Sequence, residues 1–449
     1  MNIGFISLGC AKNRVDTEIM IGILKKSGYR IVESLNKADL IIVNTCGFIN
    51  AAKEEAINTI IKTGKLKEEG RLQYLIATGC LSQRYGTELL DEMPELDGVI
   101  GISSFTGIDR AIEAVVAGKR ISWIENPPSQ FIEEGPRSIT TPAGSAYLKI
   151  AEGCNNRCSY CTIPLIRGQL RSKPVEKVIT EARELVDKGI KELVVIAQDT
   201  AAYGSDLYGK SSLPQLLKKL CQVNGLEWIR IMYLHPAHLN DEIIETVATE
   251  TKILPYLDIP IQHAADKILS SMNRKHDYDA LNSLIIKLKK SIANLVLRTT
   301  LMVGYPGEEE NDFKELLDFM VQNEFDWLGA FSYAAEDGTV AERLDNQIPD
   351  EVKEERKNTV LRLQNGITRK KNITRLNKIE PILISSGISK NLFIGRGYYQ
   401  APEVDGITLV KTETRLSRGE IINVQLKGVR DYDMIGEYIN ESSKQPHFT

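Results

Sequence analysis

The sequence predicts an α/β protein in three parts: a small parallel α/β sheet domain, a partial (β/α)6 barrel, and a small all-β barrel. Three observations carry this. Apolar runs of strand length alternate with amphipathic stretches in residues 1–118 and again in 144–370, the pattern of parallel strands covered by helices. Between them lies a linker, 119–143, rich in proline and polar residues, with Pro127, Pro128, Pro136 and Pro142. From residue 371 the pattern changes to short strands between glycine turns, running to 440 and leaving a tail of 441–449.

In the first part, Ile3–Leu8, Leu40–Val43, Tyr74–Ala77 and Val99–Ile102 have the character of buried strands, and Asp16–Lys26, Ala51–Lys67 and Gln83–Glu92 have helical spacing. Cys10, Cys46 and Cys80 each follow a strand closely, at the edge where open parallel sheets bind ligands. In the second part six strands are expected: Tyr147–Ala151, Glu192–Ala197, Trp228–Tyr233, Tyr256–Ile261, Val296–Val303 and Trp327–Tyr333. Amphipathic stretches such as Val175–Asp187 and Tyr278–Ser291 separate them, so the site belongs at the C-terminal strand ends. A charged helix, Asp350–Lys371, leads to the last part, where Pro381–Ser385, Leu392–Gly397, Gly406–Val410 and Ile421–Leu426 read as short strands.

Length and composition set the frame. A chain of 449 residues exceeds one ordinary core, and 42% hydrophobic with 26% charged residues is a soluble globular balance. A net charge of −4 gives no overall pull toward nucleic acid or acidic membranes, and no apolar run approaches a membrane span. Residues 371–440 hold ten Lys and Arg against eight Asp and Glu, which leaves direct nucleic-acid binding open but does not demand it. The opening stretch has no basic leader and reads as a buried strand, so a cytoplasmic location is expected. Thiols stay reduced there, and clustered cysteines favour metal ligation over disulfides.

Six of the seven cysteines form two sets of three. Cys154, Cys158 and Cys161 lie within eight residues, just past the first barrel strand. Three thiolates so spaced can hold three irons of a cubane cluster and leave the fourth open to a ligand. A structural zinc site is the bland alternative, but no His or Asp follows within a dozen residues to complete it. Cys10, Cys46 and Cys80 are individually weak signals, since a buried cysteine is usually a small hydrophobe. At three equivalent strand ends they make a case for a second cluster. Cys221 reads as a packing residue, and His235 and His238, with Pro236 between them, as loop residues rather than a metal pair.

With Tyr160 ahead of its last cysteine, the compact motif resembles the signature of the radical S-adenosylmethionine (SAM) superfamily. The order of parts resembles the methylthiotransferase family within it, over residues 1–440, ending in a TRAM-like barrel. The stretches Leu8-Gly9-Cys10-Ala11-Lys12-Asn13-Arg14-Val15-Asp16, Gln198-Asp199-Thr200, Tyr233-Leu234-His235-Pro236, Tyr256-Leu257-Asp258-Ile259-Pro260-Ile261-Gln262-His263 and Ala401-Pro402-Glu403-Val404-Asp405-Gly406 resemble the branch acting on small-subunit ribosomal protein S twelve. Thr17, where serine is usual, and Met272-Asn273-Arg274, in place of a more basic run, depart from that pattern.

The resemblance implies two 4Fe-4S clusters, on Cys154, Cys158 and Cys161 and on Cys10, Cys46 and Cys80, with SAM as cofactor. It implies SAM contacts from Tyr160, Gln198, Asp199, Gln262 and Gly304. The implied reaction converts an aspartate β-carbon C–H bond to C–S–CH3. One SAM yields a deoxyadenosyl radical at the compact cluster and a second supplies methyl. Implied partners are ribosomal protein S twelve, a reductant such as flavodoxin or ferredoxin, and a sulfur donor. Three other readings stay open: the same reaction on a tRNA adenosine, sulfur insertion without methylation, and a non-catalytic metal- or RNA-binding protein.

Overall fold

A computed structural model of the chain describes residues 1–132 and 134–439. The expected tail, 441–449, and residue 440 lie outside the described residues. The first sheet is formed by β1 (Asn2–Ser7), β2 (Arg30–Ile31), β3 (Leu40–Thr45), β4 (Tyr74–Gly79), β5 (Gly98–Ile100) and β6 (Ile121–Trp123), in the order β2-β1-β3-β4-β5-β6. Every pairing is parallel, and Ser7 stands opposite Asn44, which stands opposite Thr78. The C-terminal ends of β1, β3 and β4 are therefore level and adjacent. Alternate residues of the fully buried β3 serve two cores. Leu40 and Ile42 pack with Val15 and Ile19, while Ile41 and Val43 pack with Ala56 and Ile60. Helices on both faces explain why such strands read as unbroken apolar runs. β6 lies in the stretch expected as linker and adds to β5.

The helix after β1 starts at Ala11, earlier than its apolar spacing indicates, because Lys12, Asn13, Asp16, Thr17 and Glu18 are buried along with its apolar residues. A helix polar on its buried side has no clean apolar stripe to mark its start.

The second sheet joins β7 (Ser145–Lys149), β10 (Glu192–Ile196), β11 (Trp228–Ile231), β12 (Ile253–Asp258), β13 (Val296–Val303) and β14 (Trp327–Ser332), all parallel, in the order β14-β13-β12-β11-β10-β7. The first expected strand does not run on through Ala151. It breaks at Ile150, and β8 (Ala151–Glu152) turns to pair antiparallel with β9 (Arg171–Ser172), clipping the ends of the cysteine loop together. β12 begins and ends earlier than expected. Pro260 lies past its end, and the register with β11 shifts beside Pro255, which has no N–H to give the ladder. Leu193 and Val195 pack outward against the helices, and Val194 and Ile196 face inward. No helix of the described residues is long and apolar enough to cross a membrane.

The third part is a closed barrel of β15 (Ile379–Ser389), β16 (Leu392–Gly397), β17 (Thr408–Lys411), β18 (Ile421–Arg430) and β19 (Asp433–Tyr438), ordered β15-β16-β17-β19-β18. β19 was not expected; its short run carries Gly436 and follows the turn at Asp431. The segment after β16 enters the inner side of the second sheet, where Tyr399 and Ala401 pack with Tyr256 and Trp327. Glu192 of β10 anchors it: Arg396 Nη2 donates to Glu192 Oε2 at 2.5 Å and Arg230 Nε to Oε1 at 2.8 Å, all three side chains buried. Burial alone would raise the Glu192 pKa, but Arg396 and Arg230 overcome it and bring it down to about 2.

Because that value lies below the unfolded one, the pair's contribution is fully present above about pH 4.5 and is lost as pH falls toward 2. Glu192→Gln leaves two buried guanidinium groups without a countercharge and is expected to cost about 3–5 kcal/mol. Thermal unfolding at pH 7 checks this, and the gap between variant and parent should narrow as pH approaches 2.

Candidate active site

Cys10 follows β1 and caps the helix Ala11–Lys26, Cys46 follows β3, and Cys80 opens the helix after β4. Three adjacent strand ends thus bring the dispersed set together, Cys10 exposed and Cys46 and Cys80 buried. The approach is close enough to require glycine: Gly9 has φ +84°, and a Cβ there would lie 2.8 Å from Cys46 Cβ. Burial, then the neighbouring Cys80, pushes the Cys46 thiol up to about 12. Burial also raises Cys80, opposed by Arg167.

The compact set occupies the loop between β8 and β9, and the second sheet's C-terminal ends hold it. Ser159 N donates to Met272 O at 3.0 Å, Asn273 Nδ2 to Arg157 O at 2.7 Å, and Asn156 Nδ2 to Asp199 Oδ2 at 2.7 Å. All three cysteines are half-buried. Burial lifts Cys154 to about 11 and Cys161 to about 12, Cys161 also feeling Cys158. Each set has a guanidinium at one sulfur: Arg167 Nη2 lies 3.4 Å from Cys80 Sγ, and Arg274 Nη1 lies 3.7 Å from Cys158 Sγ.

These donor sets fit iron–sulfur clusters. Each edge offers three thiols, the donor type of such clusters; among the described residues, Asp199, His235 and His238 also bring three ligand atoms within 4.8 Å of one another. Hydrogen bonds to sulfur are also among the levers by which proteins tune such clusters. Metal binding must displace protons from the raised thiols.

Between the two sets lies a buried network of four charges. Arg167 Nη1 donates to Glu152 Oε2 at 2.6 Å, and its Nη2 reaches Asn13 Oδ1 at 2.6 Å and Asp16 Oδ2 at 3.2 Å. Lys149 pairs with Asp16 and, at 2.8 Å, with Glu152. Burial would raise the Glu152 pKa, but Arg167 and Lys149 hold it well below the usual carboxylate range. Asp16 and Asn13 belong to the first domain, and Lys149, Glu152 and Arg167 to the second.

Three family profiles match this chain in series: Uncharacterized protein family UPF0004 over residues 2–101, Radical SAM superfamily over 148–320, and TRAM domain over 378–439. The ribosomal protein uS12 methylthiotransferase RimO of Syntrophomonas wolfei is 60% identical over 438 residues, spanning 98% of this chain and 100% of its own. The chain belongs to the ribosomal protein uS12 methylthiotransferase family. The protein of the same name from Clostridioides difficile is 44% identical over 98% of this chain and 99% of its own. Among solved structures, the radical S-adenosylmethionine methyltransferase TsrM of Kitasatospora setae superposes with a TM-score of 0.54 at 12% identity, covering 73% of this chain and 72% of that one, a likeness of fold alone.

In this methylthiotransferase the other expected site residues have varied surroundings. Gln198 donates to Glu152 Oε1, while its own Oε1 is buried without a hydrogen-bond partner among the described residues. Asp199 is taken up by Asn156 and, at 2.6 Å, by His238 Nδ1, so it braces the cysteine loop. His235 caps and His238 ends a short 3-10 turn, and, contrary to the expectation of loop residues without a metal pair, both bring ligand atoms within 4.8 Å of each other and of Asp199. Tyr160 packs beside Tyr305 and Met272. Gln262 has φ +71° and bridges to β13 through Leu301. Gly304 has φ +70°, and the room its missing Cβ leaves is taken by Lys353, 2.2 Å from where that atom would be. That glycine needs no ligand to explain it. Cys221 packs half-buried against the core.

Arg167 lies in no motif read from the sequence; Lys12 and Asn13 stand in the opening motif without a role assigned, and the departing stretch Met272-Asn273-Arg274 does reach a proposed cluster ligand, through Arg274. Lys12 is 7% exposed, with Nζ 3.1 Å from the Tyr233 ring centroid, and burial brings its pKa down to about 8.

Arg167→Met leaves Asp16 and Glu152 buried against one lysine. The expected cost is about 3–5 kcal/mol. Thermal unfolding measures it, and limited proteolysis should show earlier cleavage between the first and second domains.

Proposed function

We propose that this chain is a radical SAM enzyme that methylthiolates an aspartate side chain of ribosomal protein uS12, forming C–S–CH3 at its β-carbon. The observation that carries the reading is identity of 60% along 98% of the chain to a protein bearing that activity in its name. The two cysteine sets, joined through the Arg167 network, fit the need: an aspartate β-C–H bond is beyond an ordinary general base. Bound clusters and SAM would supply radical hydrogen abstraction, sulfur and methyl.

The chain's own residues would bind and orient these groups. Cys154, Cys158 and Cys161 would hold the SAM-binding 4Fe-4S cluster, with Asp199 and Arg274 fixing their loop. Cys10, Cys46 and Cys80 would hold the second 4Fe-4S cluster, with Arg167 donating to Cys80 and tying its sheet edge to the core. Gln198, whose Oε1 has no partner among the described residues, has an acceptor to offer the SAM amino group; Tyr160, Gln262 and Gly304 complete the proposed SAM surroundings. A low-potential electron donor such as flavodoxin or ferredoxin, a sulfur donor and a cytoplasmic location belong to the same proposal. The C-terminal barrel would serve docking of a basic protein with whatever surface it does not spend on the core.

Peptide mass spectrometry of uS12 after anaerobic reaction with the reconstituted enzyme, reductant, sulfide and SAM tests the reading. A methylthio mass on one aspartate supports it; the group found only on a tRNA adenosine sinks it. Cys158→Ala is expected to abolish 5′-deoxyadenosine formation. Cys46→Ala should still cleave SAM but transfer no sulfur, and intact methylthiolation by that variant would remove the second-cluster assignment.

A further inference from the structure

We infer that Lys12 is the seat of the substrate carboxylate: its ammonium, buried where the edge bearing Cys10 meets Tyr233 of the second sheet, receives the side chain of the aspartate that is modified. The inference rests on the proposed reaction with uS12 and names a residue that binds its target group.

The argument starts from the cations buried where the two domains meet. Lys149, Arg167 and Arg298 are each paired with carboxylates, Arg298 with Asp258 at 2.9 Å. Lys12 is equally buried, yet among the described residues no carboxylate lies within 4.0 Å of its Nζ. Its nearest described partner is the face of Tyr233. A ring face attracts the charge but accepts little from the three N–H bonds of an ammonium. A buried cation without a countercharge is costly, and an incoming carboxylate relieves that cost.

The surrounding acids are already engaged. Asp258 accepts from Arg298 and from Tyr233 N at 3.2 Å, and Glu152 from Arg167 and Lys149. Cys10, Asp258 and Glu152 favour the Lys12 charge without an ion pair to it among the described residues, so a carboxylate from outside would be its first direct partner. Its position suits one particular anion. It stands two residues from Cys10, while its ammonium rests on Tyr233, just past the end of β11 in the other domain. Tyr233 takes φ +62°, a conformation costly for an aromatic residue and concentrated at ligand sites. A carboxylate held there places the adjacent β-carbon between the edge bearing Cys10, Cys46 and Cys80 and the strand ends that hold Cys154, Cys158 and Cys161.

A double-mutant cycle across the complex tests this. Binding of uS12, and of uS12 with its target aspartate changed to asparagine, is measured anaerobically on the reconstituted enzyme and on its Lys12→Met variant. Iron and sulfide content is matched beforehand. The asparagine protein should bind the parent enzyme about 30-fold more weakly, Lys12→Met should weaken binding of the aspartate protein to a similar degree, and the variant should hardly distinguish the two proteins. Lys12→Arg should recover part of the loss. Equal weakening of both proteins by Lys12→Met would mean that the lysine only balances charge near Cys10 and would overturn the assignment, as would no weakening. If Lys12→Met does not fold or assemble, the comparison on the parent enzyme decides alone: no preference for aspartate over asparagine overturns it. Methylthiolation of uS12 by the parent, run alongside, separates failure of this assignment from failure of the underlying function.

Discussion

A guanidinium removed from water must be surrounded by acceptors, and Arg167 finds its acceptors on both sides of a domain boundary. Glu152 comes from the second domain, and Asn13, Asp16 and the sulfur of Cys80 come from the first. Separating the domains would strand buried charges on each side, so the boundary is held in one register by directional bonds rather than by apolar area alone. The relative placement of the two cysteine-bearing edges follows from that register. So does the position of Lys12, which shares a helix turn with Asn13 and Asp16 and is carried by it to Tyr233.

The second domain tolerates unusual backbone where this edge meets it. Tyr233 and Gln262 have φ of +62° and +71°, at the ends of neighbouring strands. Each such conformation costs on the order of 1–3 kcal/mol and persists only where surrounding bonds fix it. Here Tyr233 N bonds to Asp258, and Gln262 N and O bond to Thr300 and Met302 of β13.

How much of this was legible in the sequence depended on the range of the interaction. The helices Val175–Asp187 and Tyr278–Ser291 and the strand Val296–Val303 have the bounds that their periodicity predicts, because one apolar core sets the pattern of each. The compact cysteines were legible because their spacing is local, and the dispersed ones because strand ends could be placed. The contacts of Arg167 and Arg274 were not: they reach Asn13 and Cys158 across 154 and 116 residues, so even Arg274, noted as part of a departing stretch, showed no partner in the sequence. A faint signal existed in Lys12-Asn13-Arg14-Val15-Asp16, a charged run directly after a cysteine at a ligand-binding edge. β6 and β19 escaped for another reason, since a short strand completing an existing sheet needs little pattern of its own.

The segment after β16 works as the floor of the second domain, although it is made long after the walls. Glu192 receives Arg396, at the end of β16, from 204 residues further along the chain, while Tyr256 Oη donates to Asp405 Oδ2 and Trp327 Nε1 to Tyr399 O in the segment that follows. During synthesis, the strands of the second domain emerge and pair while their inner side still lacks its cover. Only a ribosome that has passed this segment releases a domain whose aromatic interior is closed. A chain ended before this segment would leave those rings uncovered and Glu192 with Arg230 as its remaining guanidinium partner.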